Sequence, residues 1–445
     1  MLGGGTFTKQ DKVLPGSYIN FVSLAKAASM LSERGYAALP MVLDWGISRE
    51  VFAVGGEYLE EDCKKIFGYE YKDSKMKGIR DIFRNVKTLY VYRLNQGEAA
   101  ENLMGKARYG GIRGNDITLT VVKNGELFVV TTYLAGKEMD SQTVAGAGEL
   151  LDNDYVIFKK DGELQETAGL PLTGGTNGDA PGVEEYQSFL DASESLSFNA
   201  LGCLSDDQEI KELFIQHTRR MRDEMGAKFQ TVLYQASQAD YEGIVSVENS
   251  LAKVKQLEKT AGEPEDPASE AWSMVYWVTG AIAGCSVNAS NTNKTYDGEF
   301  NVNTAYTQRQ LKEALLSGKF MFHKVGDEVR VLEDINTLVT YTEEKNQDFA
   351  SNQTVRVLDQ IGNDVAVLFN NKYLGKIPND EAGRISFWND LVTYFNDLSR
   401  LRAIEGFEAK DVVVTRGEGK KSVVVNCPVT PVNAMAQLYM TVIVQ

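Results

Sequence analysis

Strand-like and helix-like segments alternate between about residues 183 and 333, and this alternation limits the possible folds more than any other feature of the chain. "KFQTVLY" and "GIVSVEN" are short β-prone runs, and helical patterns precede and follow them. "KFMFHKV" and "VRVLED" end the region as two further strand patterns. An alternation of this kind favours a layered α/β fold, in which helices cover a sheet.

Capping-box patterns mark two helix starts in this region. Ser205 with Gln208 precedes "EIKELFIQHTRRMRDEMGA", and Thr307 with Gln310 precedes "QRQLKEALLS", a helix that we expect to end at Gly318. Between them, "PASEAWSMVYWVTGAIAGCSV" predicts a long apolar helix. A helix that is apolar on all sides belongs in the interior.

The stretch from about 98 to 180 has a different character, because its patterns are those of strands alone. "DITLTVV" and "LFVVTTYL" flank "KNGE", so Asn124-Gly125 predicts a β-hairpin. Asp161-Gly162 predicts a second hairpin after "DYVIFKK". The Gly-rich run "LPLTGGTNGDAPGVEEY" fits no EF-hand spacing, and we interpret it as an interdomain linker.

The last quarter of the chain begins with two amphipathic helical patterns. The first predicts one apolar stripe, made of Val355, Leu358, Ile361 and Val365. The second predicts another, made of Ile385, Trp388, Leu391, Phe395 and Leu398. Strand patterns follow in "DVVVTR", "KKSVVVNCPV" and "AMAQLYMTVIVQ".

Length and charge restrict the class of protein. A chain of 445 residues is too long for one ordinary core, so we expect two to four domains. Lys and Arg number 46 against 62 Asp and Glu, and the net charge of −16 argues against direct binding of nucleic acid. The sequence lacks an apolar stretch near the ~18 residues of a membrane span and lacks a secretory signal. We therefore expect a soluble protein made in the cytoplasm, without membrane insertion.

The sequence carries no recognisable catalytic, metal or cofactor motif. His217 and His323 adjoin no nucleophile motif, G-x-S-x-G and the phosphate-binding loop are absent, and the four cysteines are scattered. We expect both histidines to be structural, no cofactor and no catalytic residue. A hydrolase on the α/β region and a monomeric, non-catalytic binding module stay open as alternatives.

The two ends of the chain carry the most informative patterns. "LYMTVIVQ" predicts a strand that runs to the last residue, and such a strand needs a partner for its exposed edge. The opening "MLGGGTFTKQDKVLPGSYINFVS" predicts a short strand after the bend at Pro15-Gly16. Two β-prone ends favour strand addition between subunits, although both could also fold back onto their own chain.

These two ends resemble those of phage tail sheath proteins, the subunits of contractile tails in phages, defective prophages and R-type bacteriocins. The order of the middle regions agrees with this family over essentially the whole chain. The resemblance implies a subtilisin-like α/β core without a protease triad, an inserted β-sandwich-like domain, and a small α/β C-terminal domain with strand-exchanging terminal arms. It also implies a structural subunit and no enzyme.

The resemblance implies an order of segments along the chain. These are an N-terminal extended arm (1–22), the first part of the sheath core (23–97), an all-β inserted outer domain (98–180), an α/β subtilisin-like sheath domain (181–335), an inner domain facing the tube (336–430) and an exchanged C-terminal strand (431–445).

The implied partners are further copies of the chain, the inner tail tube protein, and the baseplate and tail terminator proteins. We expect the N-terminal arm to donate its strand through Pro15, Gly16, Tyr18, Ile19 and Phe21. We expect the C-terminal strand to pair through Leu438, Tyr439, Met440, Val442 and Val444. As candidates for contact with the tube we choose Arg384, Arg400 and Arg402, which lie in or next to a helix of the expected inner domain.

Overall fold

The structure is a computed structural model that describes residues 31–252 and 270–444. The strands in this part of the chain are β1 (Tyr36–Met41), β2 (Val51–Gly55), β3 (Thr88–Arg93), β4 (Gly105–Ala107), β5 (Ile117–Asn124), β6 (Leu127–Leu134), β7 (Lys137–Val144), β8 (Val156–Phe158), β9 (Thr167–Pro171), β10 (Ala200–Gly202), β11 (Gln230–Tyr234), β12 (Ile244–Val247), β13 (Lys319–Phe320), β14 (Phe322–Val325), β15 (Glu328–Val331), β16 (Ile404–Glu405), β17 (Val413–Arg416), β18 (Val423–Asn426) and β19 (Thr430–Pro431). The α-helices there are α1 (Leu59–Phe67), α2 (Lys77–Phe83), α3 (Val183–Ser193), α4 (Gln208–Arg219), α5 (Met274–Gly284), α6 (Gln308–Leu316), α7 (Asn352–Leu368) and α8 (Glu381–Arg400).

The chain divides into two compact units. Among the described residues, the larger unit comprises 34–252, 270–359 and 433–444, and the smaller one comprises 31–33 and 360–432. Helix α7 begins in the larger unit and ends in the smaller one.

A seven-stranded sheet organises the larger unit, in the order β13-β12-β11-β10-β1-β3-β2. Its strands are parallel except β2, which is antiparallel to β3. Side chains of β1 alternate between two cores, because Ala37 and Leu39 face one cluster and Ala38 faces the other. A parallel sheet that is buried on both faces requires cover on both sides.

Helices supply this cover. Helix α5 lies in the first cluster with Trp277 and Val278 fully buried, as its apolar sequence predicts. On the other face, Phe189 of α3 stacks on Phe214 of α4 with ring centroids 6.3 Å apart. The layered α/β fold predicted from the alternating pattern is confirmed.

The β-rich stretch forms a separate core within the larger unit. A four-stranded antiparallel sheet, β7-β6-β5-β9, and the short pair β4-β8 enclose one apolar cluster. The Asn124-Gly125 hairpin is confirmed as β5–β6, with Asn124 opposite Leu127 and Gly125 at φ 67° in the loop. A two-residue loop between twisted strands needs such a positive φ.

The second predicted hairpin, at Asp161-Gly162, is wrong. Strand β8 pairs with β4 and strand β9 pairs with β5, so the chain crosses between the two sheets at this point. Val156 and Phe158 face the shared core from β8, and burial of their side chains outweighs the local turn preference. A hairpin that the sequence patterns do not predict forms instead between β6 and β7, where Ala135 and Gly136 both have positive φ.

The Gly-rich segment after β9 connects the β-rich stretch to the α/β sheet, and it is tightly packed. Leu172 is fully buried, and the Asn177 side chain donates to Asp44 Oδ1 at 2.8 Å. A Cβ on Gly97 would lie 1.7 Å from the Thr176 carbonyl oxygen, so only glycine allows this approach. The segment predicted as a linker is therefore also a packed part of the structure, and it holds the β-rich stretch where that stretch joins the α/β sheet.

The two predicted capping boxes have different outcomes. Thr307 and Gln310 form their box at the start of α6, and Gly318 follows that helix at φ 67°, as predicted. The Ser205–Gln208 box is wrong, because Asp207 caps α4 by accepting from the Glu209 and Ile210 amides. The Asp207 carboxylate reaches two free amides of the first turn, whereas Ser205 accepts only from the amide of Asp207.

The apolar stripes predicted for the two helices of the last quarter have different outcomes. In α7, Val355 is buried but Leu358, Ile361 and Val365 are only partly buried. Most fully buried positions of that helix are polar, namely Asn352, Gln353, Thr354, Arg356, Asp359, Gln360 and Asp364. In α8, Leu391, Phe395 and Leu398 are buried as predicted, whereas Ile385 is exposed.

Candidate functional site

The N-terminal candidates lie outside the described residues. This applies to Pro15, Gly16, Tyr18, Ile19 and Phe21 alike, so their strand stays a prediction.

The C-terminal candidates lie in a segment that has no strand pairing in the single chain. Residues 432–444 carry no helix or strand. The side chains from Leu438 to Val444 are largely exposed: Tyr439 is 89% exposed and Val444 is 91% exposed. Exposed apolar side chains in such a continuous run are typical of an interaction segment.

The base of this segment is fixed within the larger unit. The Ala434 amide donates to Gln353 Oε1 at 2.9 Å, and the Asn433 side chain donates to Thr354 Oγ1 at 3.1 Å. Gln353 and Thr354 lie in the first turn of α7. The segment therefore leaves the body of the unit from a defined point, with its apolar residues beyond that point.

Strands β17 and β18 form a small antiparallel hairpin in the smaller unit. Its register runs from Val413 opposite Asn426 to Arg416 opposite Val423. Within residues 360–432 no third strand joins this pair. Two strands alone form a marginal sheet, and their outer edges present unpaired amides and carbonyls that can accept further strands.

The three arginine candidates do not form one patch. Arg384 lies near the start of α8 and donates to the Asn379 carbonyl oxygen at 3.1 Å. It lines a cavity of about 430 Å³ together with Lys420 and Lys421. Arg400 lies near the other end of the same helix, about 24 Å away at 1.5 Å per residue.

Arg400 and Arg402 lie close together at the end of α8. Arg400 forms an ion pair with Asp397, although its own side chain is 59% exposed. Arg402 is exposed and has φ 60°, in the left-handed region. The structure thus gives two separate basic positions, one at each end of the helix.

A polar cluster that the sequence patterns do not predict lies at the start of the smaller unit's described chain. Asp364 of α7 accepts hydrogen bonds from Ser32, Gln360 and Tyr394. Burial, and then the Asp364 carboxylate, raise the pKa of Tyr394. The i, i+4 spacing of Gln360 and Asp364 shows that they share a helix face, but that pattern alone is equally typical of an exposed face.

His217 and three of the four cysteines are buried. His217 is 5% exposed, and burial together with the Arg220 charge lowers its pKa to about 4. Burial raises the pKa of Cys63 to about 12 and also raises those of Cys203 and Cys285. A thiol in such surroundings stays protonated and is a weak nucleophile.

Within residues 31–252 and 270–444, no helix is both long and apolar enough to cross a bilayer.

Three domain families match successive parts of the sequence. These are the phage tail sheath protein beta-sandwich domain over residues 85–177, the phage tail sheath protein central domain over 179–337, and the phage tail sheath C-terminal domain over 344–445. The order agrees with the β-rich stretch, the α/β sheet and the last quarter of the structure.

Individual proteins are similar over the whole chain. The phage-like element PBSX protein XkdK of Bacillus subtilis is 33% identical over 99% of both chains. The crystal structure of a sheath tail protein from Desulfitobacterium hafniense matches with TM-score 0.80 and 34% identity, over 96% of this chain and 99% of that one.

A more distant likeness shows the fold alone. The helical sheath of the anti-feeding prophage in its contracted state matches with TM-score 0.54 at 11% identity, over 96% of this chain and 98% of that one. Three matching domain families in order, with relatives similar end to end, identify the family that the sequence resemblance indicated. The chain belongs to the phage tail sheath family.

Proposed function

We propose that this chain is a tail sheath subunit that polymerises as helically stacked rings around an inner tail tube, and that contraction of the sheath drives the tube through the envelope of a target cell. The observation that carries the proposal is the exposed apolar C-terminal segment, fixed at Asn433 and Ala434 and unpaired in the single chain. A second copy of the subunit can bury such a segment by strand addition, and this supports the proposal.

Strand exchange through the hairpin β17–β18 provides that partner. The C-terminal residues Leu438, Tyr439, Met440, Val442 and Val444 of one copy, and the N-terminal residues Pro15, Gly16, Tyr18, Ile19 and Phe21 of another, would add strands to the hairpin edges of a neighbour. Each main-chain hydrogen bond contributes roughly 0.5–1.5 kcal/mol net. Head-to-tail exchange is a heterologous contact, and such contacts build helical filaments when they do not close.

Contraction requires two packings of the same subunits. Exchanged strands would hold neighbours together while the bodies of the subunits rotate between these packings. An extended lattice that is metastable from assembly onwards stores the required free energy without a nucleotide. Support for a sheath that contracts comes from the fold likeness to a sheath described in its contracted state.

The placement of the domains follows from the same proposal. Residues 336–430 would face the tube and residues 98–180 would face outwards. The partners are the inner tube protein, the baseplate and the tail terminator, within a virion or phage-like particle. Direct contact with nucleic acid is not part of the proposal, because the chain carries a net charge of −16.

Deletion of residues 1–22 tests the strand exchange. The shortened protein should fold with an unchanged unfolding midpoint and fail to form sheath in the presence of tube and baseplate proteins. Deletion of residues 2–12 is the control, because it keeps Pro15 to Phe21 and should allow sheath to form. Striated hollow tubes of the 1–22 deletion in negative-stain electron micrographs would overturn the arm assignment.

Charge reversal tests the tube-facing candidates. The double variant Arg400→Glu with Arg402→Glu, and separately Arg384→Glu, should weaken co-assembly with the tube protein if the respective end of α8 faces it. Lys410→Glu serves as the control, because Lys410 lies in the same unit and pairs with Glu408 at the surface. Co-sedimentation with tubes that stays at the wild-type level in all variants would remove the assignment.

A further inference from the structure

The Asp364 carboxylate is the centre of a four-residue cluster in the smaller unit. Its Oδ1 accepts from the Ser32 amide at 3.2 Å and the Ser32 hydroxyl at 2.5 Å. Its Oδ2 accepts from Gln360 Nε2 at 2.8 Å and from the Tyr394 hydroxyl at 3.0 Å. A carboxylate offers about four acceptor positions, and four donors lie within hydrogen-bond distance of this one.

Ser32 is held at each of its polar atoms. Besides its two bonds to Asp364, it receives Gln360 Nε2 at its hydroxyl, 2.7 Å away, and at its carbonyl oxygen, 3.2 Å away. Ser32 is an exposed residue, whereas Asp364, Gln360 and Tyr394 are 5%, 3% and 1% exposed. Two of the buried residues, Asp364 and Gln360, therefore form hydrogen bonds with one exposed residue.

Burial of this cluster requires an explanation beyond packing. A buried carboxylate costs free energy unless donors surround it, and apolar side chains at the same helix positions would pack without that cost. Gln360 and Asp364 of α7 contact Ser32 directly, and Tyr394 of α8 supports Asp364 from the other side of its carboxylate. Together, these hydrogen bonds hold Ser32 in one position.

We propose that Ser32, Gln360, Asp364 and Tyr394, the arm-root cluster, fix the point from which the exchanged N-terminal arm leaves the subunit. The inference rests on the proposed strand exchange, because the arm comprises residues that precede Ser32. A fixed root lowers the entropy that strand donation must overcome and sets which neighbour the arm can reach. Asp364 is a positioning residue in this scheme.

The C-terminal segment has its base on the same helix. Gln353 and Thr354 of α7 hold Ala434 and Asn433, and Gln360 and Asp364 of α7 hold Ser32. Helix α7 thus carries the bases of both segments that the proposed function assigns to exchange.

Full-length variants test the arm-root cluster. Ser32→Ala removes the hydroxyl. Asp364→Asn replaces one acceptor oxygen with an amide NH2 group, which cannot accept hydrogen bonds from the donors around it. Both should raise the lowest subunit concentration that forms sheath on tubes by about fivefold or more, the equivalent of one lost hydrogen bond. Ser32→Thr keeps the hydroxyl and should assemble at the wild-type concentration.

Asp390→Asn is the matched control. Asp390 lies on α8 and accepts from Tyr373 at 2.5 Å and Lys372 at 2.6 Å, away from Ser32. It should leave the assembly concentration unchanged. Ser32→Ala removes one donor from the buried Asp364 carboxylate and should lower the unfolding free energy of the free subunit by about 1 kcal/mol. Asp390→Asn also weakens a hydrogen-bonded carboxylate, so a comparable loss of stability there with unchanged assembly would show that stability alone does not explain the assembly defect.

The outcomes distinguish a failure of the arm-root assignment from a failure of the proposed strand exchange. Should the 1–22 deletion form sheath like the wild type, the strand exchange itself fails. If that deletion abolishes sheath while Ser32→Ala assembles at the wild-type concentration, or Asp390→Asn is as defective as Ser32→Ala, the arm-root assignment alone is overturned. Ser32→Ala decides the question by itself where Asp364→Asn does not fold.

Discussion

Arg402 has a backbone conformation that usually belongs to glycine. It follows α8 at φ 60°, its amide donates to the Ser399 carbonyl oxygen, and the Ala403 amide donates to Leu398. These two bonds form the Schellman motif that ends many helices, with Arg402 at the position where glycine is preferred. A side chain in this conformation costs on the order of 1 kcal/mol.

Arg402→Gly should therefore stabilise the free subunit by up to about 1 kcal/mol, measured by denaturant unfolding. Arg400→Gly, inside the last helical turn, should destabilise it by a similar amount. If Arg402 contacts the tube, Arg402→Gly should also weaken co-assembly, so stability and assembly would change in opposite directions. A loss of stability in Arg402→Gly would contradict the strain assigned to this residue.

Asp81 predicts a dependence of stability on pH. Its side chain is fully buried on α2 and accepts from the Tyr296 hydroxyl at 2.6 Å and the Glu299 amide at 2.8 Å. Desolvation outweighs these hydrogen bonds and raises the pKa of Asp81 from 3.8 to about 6. Between these values the folded chain binds more protons than the unfolded one, so this group's contribution to stability falls as the pH rises.

Relative to Asp81→Asn, the wild-type protein should lose on the order of 2 kcal/mol of unfolding free energy between pH 4 and pH 6. The variant is the reference because its side chain stays neutral throughout, so the contributions of other groups cancel. The measurement is denaturant unfolding of both proteins at several pH values. Parallel stability curves would show that the pKa of Asp81 is not raised in the folded state.

For single residues, the sequence predicts whether a side chain is structural better than it predicts which partners that side chain contacts. His217 is expected to be structural, and it lies buried in the core. The arm-root cluster cannot be predicted, because Ser32, Asp364 and Tyr394 are far apart in sequence and each belongs to an ordinary surface or helix pattern by itself. Only the fold brings their polar atoms together.

The proposed function assigns the C-terminal segment to pairing with a second copy. Met440→Pro removes one main-chain donor and fixes φ, so it should abolish strand pairing and with it sheath formation. Met440→Ala keeps the amide and should retain most assembly. Both variants should unfold like the wild type as free subunits, because Met440 is 73% exposed.

Sheath formation by Met440→Pro, scored by sedimentation in the presence of tube protein, would mean that this part of the segment does not pair as a strand. Equal loss in Met440→Ala would assign the effect to the side chain and not to the backbone.

Elements with strong local rules are predictable, and those set by tertiary packing are not. The β5–β6 hairpin and the Thr307 cap follow from residues adjacent in sequence, and both are confirmed. The predictions of a hairpin at Asp161 and of the apolar stripe of α7 are wrong because sheet crossing and a buried polar face depend on distant partners. Periodicity describes which residues are apolar, and it does not show which face of a helix becomes the interior.

For the whole molecule, alternation of strands and helices predicts the α/β sheet, and the ends of the chain indicate the family. A single chain cannot show how its terminal segments pair when their partners lie in other copies. Residues 435–444 are exposed in the structure of the single chain. The proposed strand exchange can therefore be observed only in the assembled sheath.

Electron cryomicroscopy of that sheath, at a resolution that separates strands, is the decisive experiment. We expect residues 438–444 of one subunit to form a strand that is hydrogen-bonded to the β17–β18 hairpin of a neighbour. A map in which this segment folds back onto its own chain, or lies unpaired between subunits, would contradict the proposed exchange.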